Sequence, residues 1–420
     1  MEEKGKKGRM DYTLLLIVVL LVVIGLVILY STSAYNGQVK FHDSFYYLKK
    51  QAFATVLGIV LMLFVAGVDY HIWQRLAVFG YLAAVALSVA VMLFGREING
   101  SKRWLALGPF SFQPSEFAKV ALILFLADLV TKNVKTIGKM WTLCRIMFWI
   151  LPIVGLVGAS NLSTAIIILG IGVILIFVAS PKYAQFALMG IAGACFMGIF
   201  LALESYRLER LAIWRNPEKY EKGYQTLQGL YAIGSGGVFG VGIGNSVQKL
   251  GFVPEAQNDM IFSIICEELG LAGAGIIVFL FLLLIWRFFL IASGSRDLFG
   301  ALIATGAMAH MMIQVILNIA VVTNTIPNTG IPRRFASRTA MFSLYTSTMN
   351  SAAGRRVRSA IEPRFFSSLA RWRLIWRISR FERFEKVPSA VSLSMFAIFL
   401  TALRIVGKLV SIPPGQRSIT

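Results

Sequence analysis

Charged side chains are scarce in this sequence. They make up 15% of its 420 residues, while 57% are hydrophobic; an average soluble domain has about 25% charged residues. That shortage excludes a single soluble core, because so much apolar side chain cannot be hidden inside one. Cysteine is also rare. Cys144, Cys195 and Cys266 lie in or beside apolar segments without metal spacing, and they read as small hydrophobes. The three histidines, His42, His71 and His310, show no ligand spacing, so no metal is assigned to them. A signal-peptide cleavage site is missing as well. The first apolar run, Tyr12 to Tyr30, is long enough to span a bilayer, and the small residues after it do not form a convincing cleavage site.

What the sequence has is long hydrophobic runs. Apolar stretches fall near 12–31, 51–68, 76–94, 116–131, 146–160, 162–180, 184–203, 259–286 and 299–323. Lipid offers backbone polar groups no partner, so each stretch must be helical. The expected fold is all-α: a polytopic transmembrane helix bundle with about nine spans, followed by a divergent basic C-terminal tail.

A net charge of +21 suggests nucleic acid until its distribution is followed. Residues 333–420 hold 14 Arg and 2 Lys against 3 Glu, a net of +13, which leaves +8 for the first 332 residues. Much of that remainder flanks the apolar runs, so the expected partner is membrane lipid and not nucleic acid. The loop charges set an orientation. With the N-terminus in the cytoplasm, twelve basic residues fall inside: Lys4, Lys6, Lys7, Arg9, Arg75, Lys132, Lys135, Lys139, Arg145, Lys182, Arg287 and Arg296. The opposite short loops, 32–50 and 95–115, hold six. The large loop 204–258 is then extracytoplasmic. Its glycines, Gly234-Ser235-Gly236-Gly237 and Gly240 to Gly244, allow close backbone packing. Its aromatic and apolar residues, Trp214, Tyr220, Tyr224, Leu227 and Phe239 among them, suggest a loop folded back onto the membrane surface. A flexible linker is the plainer alternative.

Three clusters could carry chemistry. The strongest is Val253-Pro254-Glu255-Ala256-Gln257-Asn258-Asp259 running directly into Met260-Ile261-Phe262. Asn258 is the expected N-cap, which would put Asp259 in the first helical turn, with Ser263 and Glu267 on the same face. The helix dipole favours an ionised Asp259 and partial burial opposes it; the plain alternative is an aspartate that only caps a helix. In the second cluster, Ser101 to Trp104 precedes Gln113-Pro114-Ser115-Glu116-Phe117-Ala118-Lys119. Ser115 suits a cap, Glu116 a first turn, and Lys119 an i,i+3 ion pair with Glu116. Lys102, Arg103 and Lys119 could also hold an anionic head group. The third is Gln248-Lys249-Leu250, where a lone loop lysine would ordinarily be solvated.

Taken in order, these segments resemble the SEDS family (FtsW, RodA and SpoVE), the membrane glycosyltransferases of bacterial cell-wall synthesis. The resemblance rests on Gly100–Trp104, Phe112–Lys119, Asn161–Ala165, Tyr206–Arg210, Gly223–Gly244, Gln248–Leu250, Pro254–Phe262 and Glu267–Gly270. It leans toward the FtsW/SpoVE branch. It implies a protein of the bacterial cytoplasmic membrane that polymerises lipid II, an undecaprenyl-pyrophosphate-linked disaccharide-pentapeptide, into glycan strands at the outer face. It also implies a class B penicillin-binding protein as partner, alongside other division or sporulation proteins. The family's essential aspartate matches Asp259, whose carboxylate would take the proton of the acceptor sugar hydroxyl. Arg103, Glu116, Lys119, Arg210, Lys249 and Glu255 are the candidate substrate-binding residues. The cationic ones would stabilise the leaving pyrophosphate, and the chemistry leaves room for a divalent cation, Mg or Mn.

The resemblance breaks at Pro332. Where the family continues into a Ser-Tyr-Gly-Gly run and a final membrane helix, this chain has Arg333-Arg334-Phe335-Ala336-Ser337-Arg338 and Arg-rich sequence beyond. A frameshift near codon 332 would produce such a change, and another reading frame would then restore the missing run. A genuine basic, aromatic tail that binds anionic lipid is the alternative. Two other functions stay open: a lipid II flippase, or a catalytically impaired scaffold of the division machinery. A flippase would be expected to carry charges along a transport route, but the apolar spans hold few, mainly Asp128, Glu267 and Glu268.

Overall fold

The computed structural model describes residues 11–98, 101–107, 110–180, 182–187, 190, 211–220, 223–254 and 256–327. The Arg-rich tail, Arg210, Glu255 and most of the expected span 184–203 lie outside the described residues.

Seven helices are long and apolar enough to cross a membrane: α1 (Tyr12–Phe41), α2 (Tyr46–Gly67), α3 (Tyr70–Phe94), α5 (Met140–Ser160), α6 (Leu162–Ala179), α8 (Ile261–Ser293) and α9 (Leu298–Val322). Each coincides with an expected stretch. An eighth stretch, near 116–131, forms α4 (Pro114–Lys132). Four charges, Glu116, Lys119, Asp128 and Lys132, take it out of the simple apolar class. It sits inside the bundle against α3, α5, α6 and α9, and its charges meet protein partners where lipid would leave them bare. Lipid-facing helices show the opposite pattern. In α2 only Thr55, Gly58 and Met62 are buried, and Phe53 and Phe64 project outward. Leu122, Leu126, Ile146, Ile150, Ile168, Ile171, Leu302 and Ile303 form the centre of the main core.

Polar contacts define the two ends of the bundle. At one end, helices α1, α3 and α9 begin on Asp11, Asp69 and Asp297, each accepting a backbone N–H of its own first turn. There Asp11 also pairs with Arg287, and the Tyr70 hydroxyl donates to Asp297. Asp128 takes Lys132 at 2.6 Å and the Gln74 amide at 3.0 Å. At the other end lie the 42–45 turn, the 95–113 segment and the large loop.

That second end holds a feature the sequence reading passed over as plain loop. Strands β1 (Arg96–Ile98), β2 (Ser101–Leu107) and β3 (Phe110–Phe112) form a small antiparallel sheet in the order β1-β2-β3. Arg96 faces Trp104 and Leu105 faces Phe112 in the register. The helix bundle stands as expected, with this sheet added to it.

Two helices are longer than the membrane requires. At 1.5 Å per residue, the 30 residues of α1 extend about 45 Å, against a hydrocarbon core of about 30 Å. The surplus, from about Ser31 onward, forms a post beside the large loop. The 33 residues of α8 break at Gly270 (φ 70°, ψ −174°), which separates an outer segment, 261–269, from the long remainder.

Candidate active site

The large loop includes α7 (Tyr224–Ser235), a glycine-rich stretch, a 3-10 turn (Gln248–Leu250) and the turn that carries Asp259. Its position is set by the break in α8. Backbone N–H groups of Val241 and Gly242 donate to the carbonyls of Glu267 (3.0 Å) and Glu268 (2.9 Å). In return, Leu271 and Ala272 donate to Gly237 (2.9 Å) and Val238 (3.0 Å). The loop thus supplies partners to the groups that the helix frees at Gly270, as a broken membrane helix requires. The two backbones come close enough to exclude side chains. A Cβ on Gly240 would sit 2.2 Å from the Glu268 carbonyl oxygen, and one on Gly270 would sit 2.3 Å from the Gly240 nitrogen. The loop is thus bound to the bundle through α8, whereas its composition suggested a loop laid on the membrane surface.

Adjacent glutamates on α8 fasten the next part of the loop. Glu267 accepts the Ser246 hydroxyl at 2.6 Å and the Val247 amide at 3.0 Å. Glu268 pairs with Lys249 at 2.6 Å and accepts the Ser31 hydroxyl of α1 at 2.7 Å. Lys249 also donates to Ser31 at 3.0 Å. Here the sequence reading is corrected: Lys249 is no solvated loop lysine but a buried cation held by a carboxylate 19 residues further on. In the sequence Glu267 and Glu268 stand as embedded charges within a family motif, with Glu267 expected on the face of Asp259. Their partners Ser31 and Ser246 carried no signal, because nothing local shows which hydroxyl a distant carboxylate will meet.

Asp259 lies beyond this anchor. Asn36 of α1 donates to Gln257 at 3.2 Å, and Gln225 of α7 donates to the Pro254 carbonyl at 3.3 Å. The expected capping is not what forms. Met260 is the N-cap of α8, so Asp259 stands just before the helix, and Asn258 is not the cap. The helical register that aligned Asp259 with Ser263 and Glu267 therefore does not reach it. Ser263 is buried and donates to the Met260 carbonyl. Asp259 makes no hydrogen bond or ion pair among the described residues, and its side chain is exposed. Protein nevertheless crowds it, and the partial loss of water raises its carboxyl above the usual aspartate range, against the pull of Arg103. Exposure limits that rise, since a reachable carboxylate keeps part of its hydration.

The small sheet brings Arg103 to this end. Its Nε donates to the Ser160 carbonyl at the end of α5, at 3.1 Å. Arg103, Gln113, Ser115, Ser160 and Asn161 line a recess where α3, α4 and α5 meet. Below it the expected Glu116–Lys119 pair forms at 2.8 Å, with Lys119 buried. The helix starts on Pro114 with Gln113 as cap residue, and Ser115, expected as cap, instead accepts the Gln113 amide. The structure thus gathers Asp259 and Arg103 electrostatically, places Glu116 and Lys119 on the neighbouring helix, and commits Lys249 to the loop. Among the described residues, no three His, Cys, Asp or Glu side chains converge to hold a metal. The described residues at Asp259, one carboxylate beside a guanidinium, do not by themselves fit a divalent ion, which takes about six or more oxygen ligands.

The comparisons bear on what this assembly is. The family model described as "Cell cycle protein", covering FtsW, RodA and SpoVE, matches residues 12–345. This chain belongs to that family. Residues 346–420 fall outside the match, whose end lies 13 positions beyond Pro332. The SEDS chain is 39% identical over 345 residues to stage V sporulation protein E of Bacillus subtilis, covering 79% of this chain and 92% of that one. It is 34% identical to a probable peptidoglycan glycosyltransferase FtsW of Trichlorobacter lovleyi, covering 78% and 87%. Among solved structures, it resembles a peptidoglycan synthase complex that coordinates polymerization and crosslinking. That match has a TM-score of 0.66, 28% identity, and coverage of 77% and 90%. The rod-shape-determining protein RodA of Thermus thermophilus matches with a TM-score of 0.55, 26% identity, and coverage of 77% and 88%. The chain is a multi-pass membrane protein of the SEDS type.

Proposed function

We propose that this protein is a peptidoglycan glycosyltransferase that polymerises lipid II at the outer face of the bacterial cytoplasmic membrane. The observation that carries this reading is Asp259, an exposed carboxylate without a fixed partner among the described residues, within the field of Arg103, on a turn held at one end of the bundle. The N-terminus lies in the cytoplasm, as the loop charges favour, and Asp259 faces outward. There the acceptor's sugar hydroxyl gives its proton to Asp259 as its oxygen attacks C1 of the donor, and the bond from C1 to the pyrophosphate oxygen breaks. Arg103, with Lys119 and Glu116 behind it, stands where a departing pyrophosphate can be stabilised. A divalent cation bound there would add charge stabilisation to the pyrophosphate. A class B penicillin-binding protein takes the product for crosslinking, and other division or sporulation proteins complete the assembly.

A transport route is less well supported. The described embedded carboxylates each have protein partners: Asp128 has Lys132 and Gln74, Glu116 has Lys119, Glu267 has Ser246, and Glu268 has Lys249. Purified protein given labelled lipid II in detergent tests the assignment, because an enzyme makes polymer there whereas a flippase or a scaffold does not. Asp259→Ala is expected to insert and fold normally and to make no polymer. Near-normal polymer from that variant would end the assignment.

A further inference from the structure

His310 has no part in the chemistry above, yet among the described residues it is the side chain with two buried polar atoms left without a partner. It lies in α9 and is fully buried, and neither ring nitrogen has a hydrogen-bond partner among the described residues. Gln314, one turn on, has a buried amide oxygen that also lacks a partner among the described residues. The i,i+4 spacing puts both on one face of α9.

Gly306 shows which face that is. A Cβ built there would sit 2.5 Å from the Ile123 side chain of α4. The two helices are antiparallel, since Asp128 near the end of α4 and Asp297 at the start of α9 both meet the first turn of α3, through Gln74 and Tyr70. One turn along α9 from Gly306 is His310, and one turn back along α4 from Ile123 is Lys119. A further turn sets Gln314 level with Glu116. The field of Lys119 does reach the His310 ring. Lys119 is buried and has three N–H donors, of which the carboxylate of Glu116 at 2.8 Å takes one.

We propose that the seam between α4 and α9 holds ordered water, and that His310 is a positioning residue. Through that water it fixes the Lys119 ammonium beside Glu116. A buried water needs two to four polar partners, and the seam offers two ring nitrogens, an amide oxygen and an ammonium group. A neutral imidazole has one donor and one acceptor, so water can link the ammonium, the ring and the Gln314 oxygen in one chain. Without it, both ring nitrogens and the Gln314 oxygen would stay unsatisfied, contrary to the general rule for protein interiors.

The functional half of this inference rests on the proposed glycosyltransferase reading; the water itself does not. Hydroxyl-radical labelling of the full-length protein in nanodiscs tests the water. His310 is expected to be modified at the dose that modifies exposed His71, although bulk solvent does not reach it; an unmodified His310 overturns the water site. Lipid II kinetics test the positioning. His310→Leu is expected to raise KM about tenfold with kcat little changed, the loss of one bond to a charged group, and His310→Gln to restore most of it. An unchanged KM in His310→Leu overturns the positioning role. If His310→Leu does not fold, the Gln variant decides in its place, since a polar partner retained should keep KM near the parent value and a large rise sinks the idea. Should the parent protein make no polymer, the glycosyltransferase reading fails and the labelling still decides whether the seam is wet.

Discussion

Asp259 and Arg103 are coupled through charge, and the coupling has a sign. Burial raises the Asp259 carboxyl and the Arg103 guanidinium lowers it. A general base works in its ionised form, so the acidic limb of the pH–rate profile follows this carboxyl. Arg103→Gln removes the lowering influence, and at a given pH less of Asp259 is ionised. The acidic limb of kcat/KM is therefore expected to move to higher pH. A profile that drops in height without moving would show that Arg103 acts on substrate alone. Lys249 permits a different measurement. Glu268→Met strands a buried ammonium and should destabilise the protein by about 3–5 kcal/mol, while Lys249→Met with Glu268→Met should cost clearly less. Denaturation midpoints of the two singles and the double variant check this, and additive losses would show that the pair is not coupled. These residues were unequally legible in the sequence. Asp259 was found through an ordered set of motifs. Lys249 reads in the sequence as a lone loop lysine or as a cation for the leaving pyrophosphate, and its anchoring is not legible there, because its partners lie 19 and 218 positions away and no local pattern carries contacts of that range.

At the scale of elements, the break in α8 is what joins loop to bundle. Gly270 reads as one more apolar position in a long hydrophobic run, and its φ of 70° becomes intelligible only beside Gly240. The sheet at 96–112 was equally hidden, since its strands are 3, 7 and 3 residues long, too short for an alternating pattern to stand out. The spans themselves were readable because lipid permits so few alternatives, although α4 shows that charges do not remove a helix from the bundle when other helices surround it. The loop-to-break contact predicts a contrast between glycines. Gly240 has φ +77° and a carbonyl oxygen 2.2 Å from any added Cβ. Gly240→Ala should therefore cost more than the roughly 1–3 kcal/mol of a strained backbone alone, with Asp259 displaced and polymerisation lost. Gly155 in α5 has nothing within 4 Å of an added Cβ, and Gly155→Ala should be neutral or slightly stabilising. Thermal midpoints in detergent distinguish the two, and equal midpoints would mean that the close approach does not hold the loop.

For the whole molecule the deciding question is which end of the bundle meets the periplasmic side, because the proposed chemistry needs Asp259 outside, where the growing wall is. The described contacts sort the chain into two ends without reference to charge: Asp11, Tyr70, Asp128 and Asp297 gather at one, and Asn36, Gln257 and Asp259 at the other. Loop charge, twelve basic residues against six, favours the Asp11 end as the cytoplasmic one. Two exposed positions make that assignment measurable. Phe45 lies in the turn after α1, at the Asp259 end, and Lys135 lies in the turn after α4, at the Asp11 end. With Cys144, Cys195 and Cys266 replaced by serine or alanine to clear the background, Phe45→Cys should react with an impermeant maleimide on intact cells whose outer wall has been removed. Lys135→Cys should react only after the membrane is opened. Labelling in the reverse order would put Asp259 in the cytosol, away from any lipid II presented outside, and no adjustment of side-chain roles would rescue the mechanism.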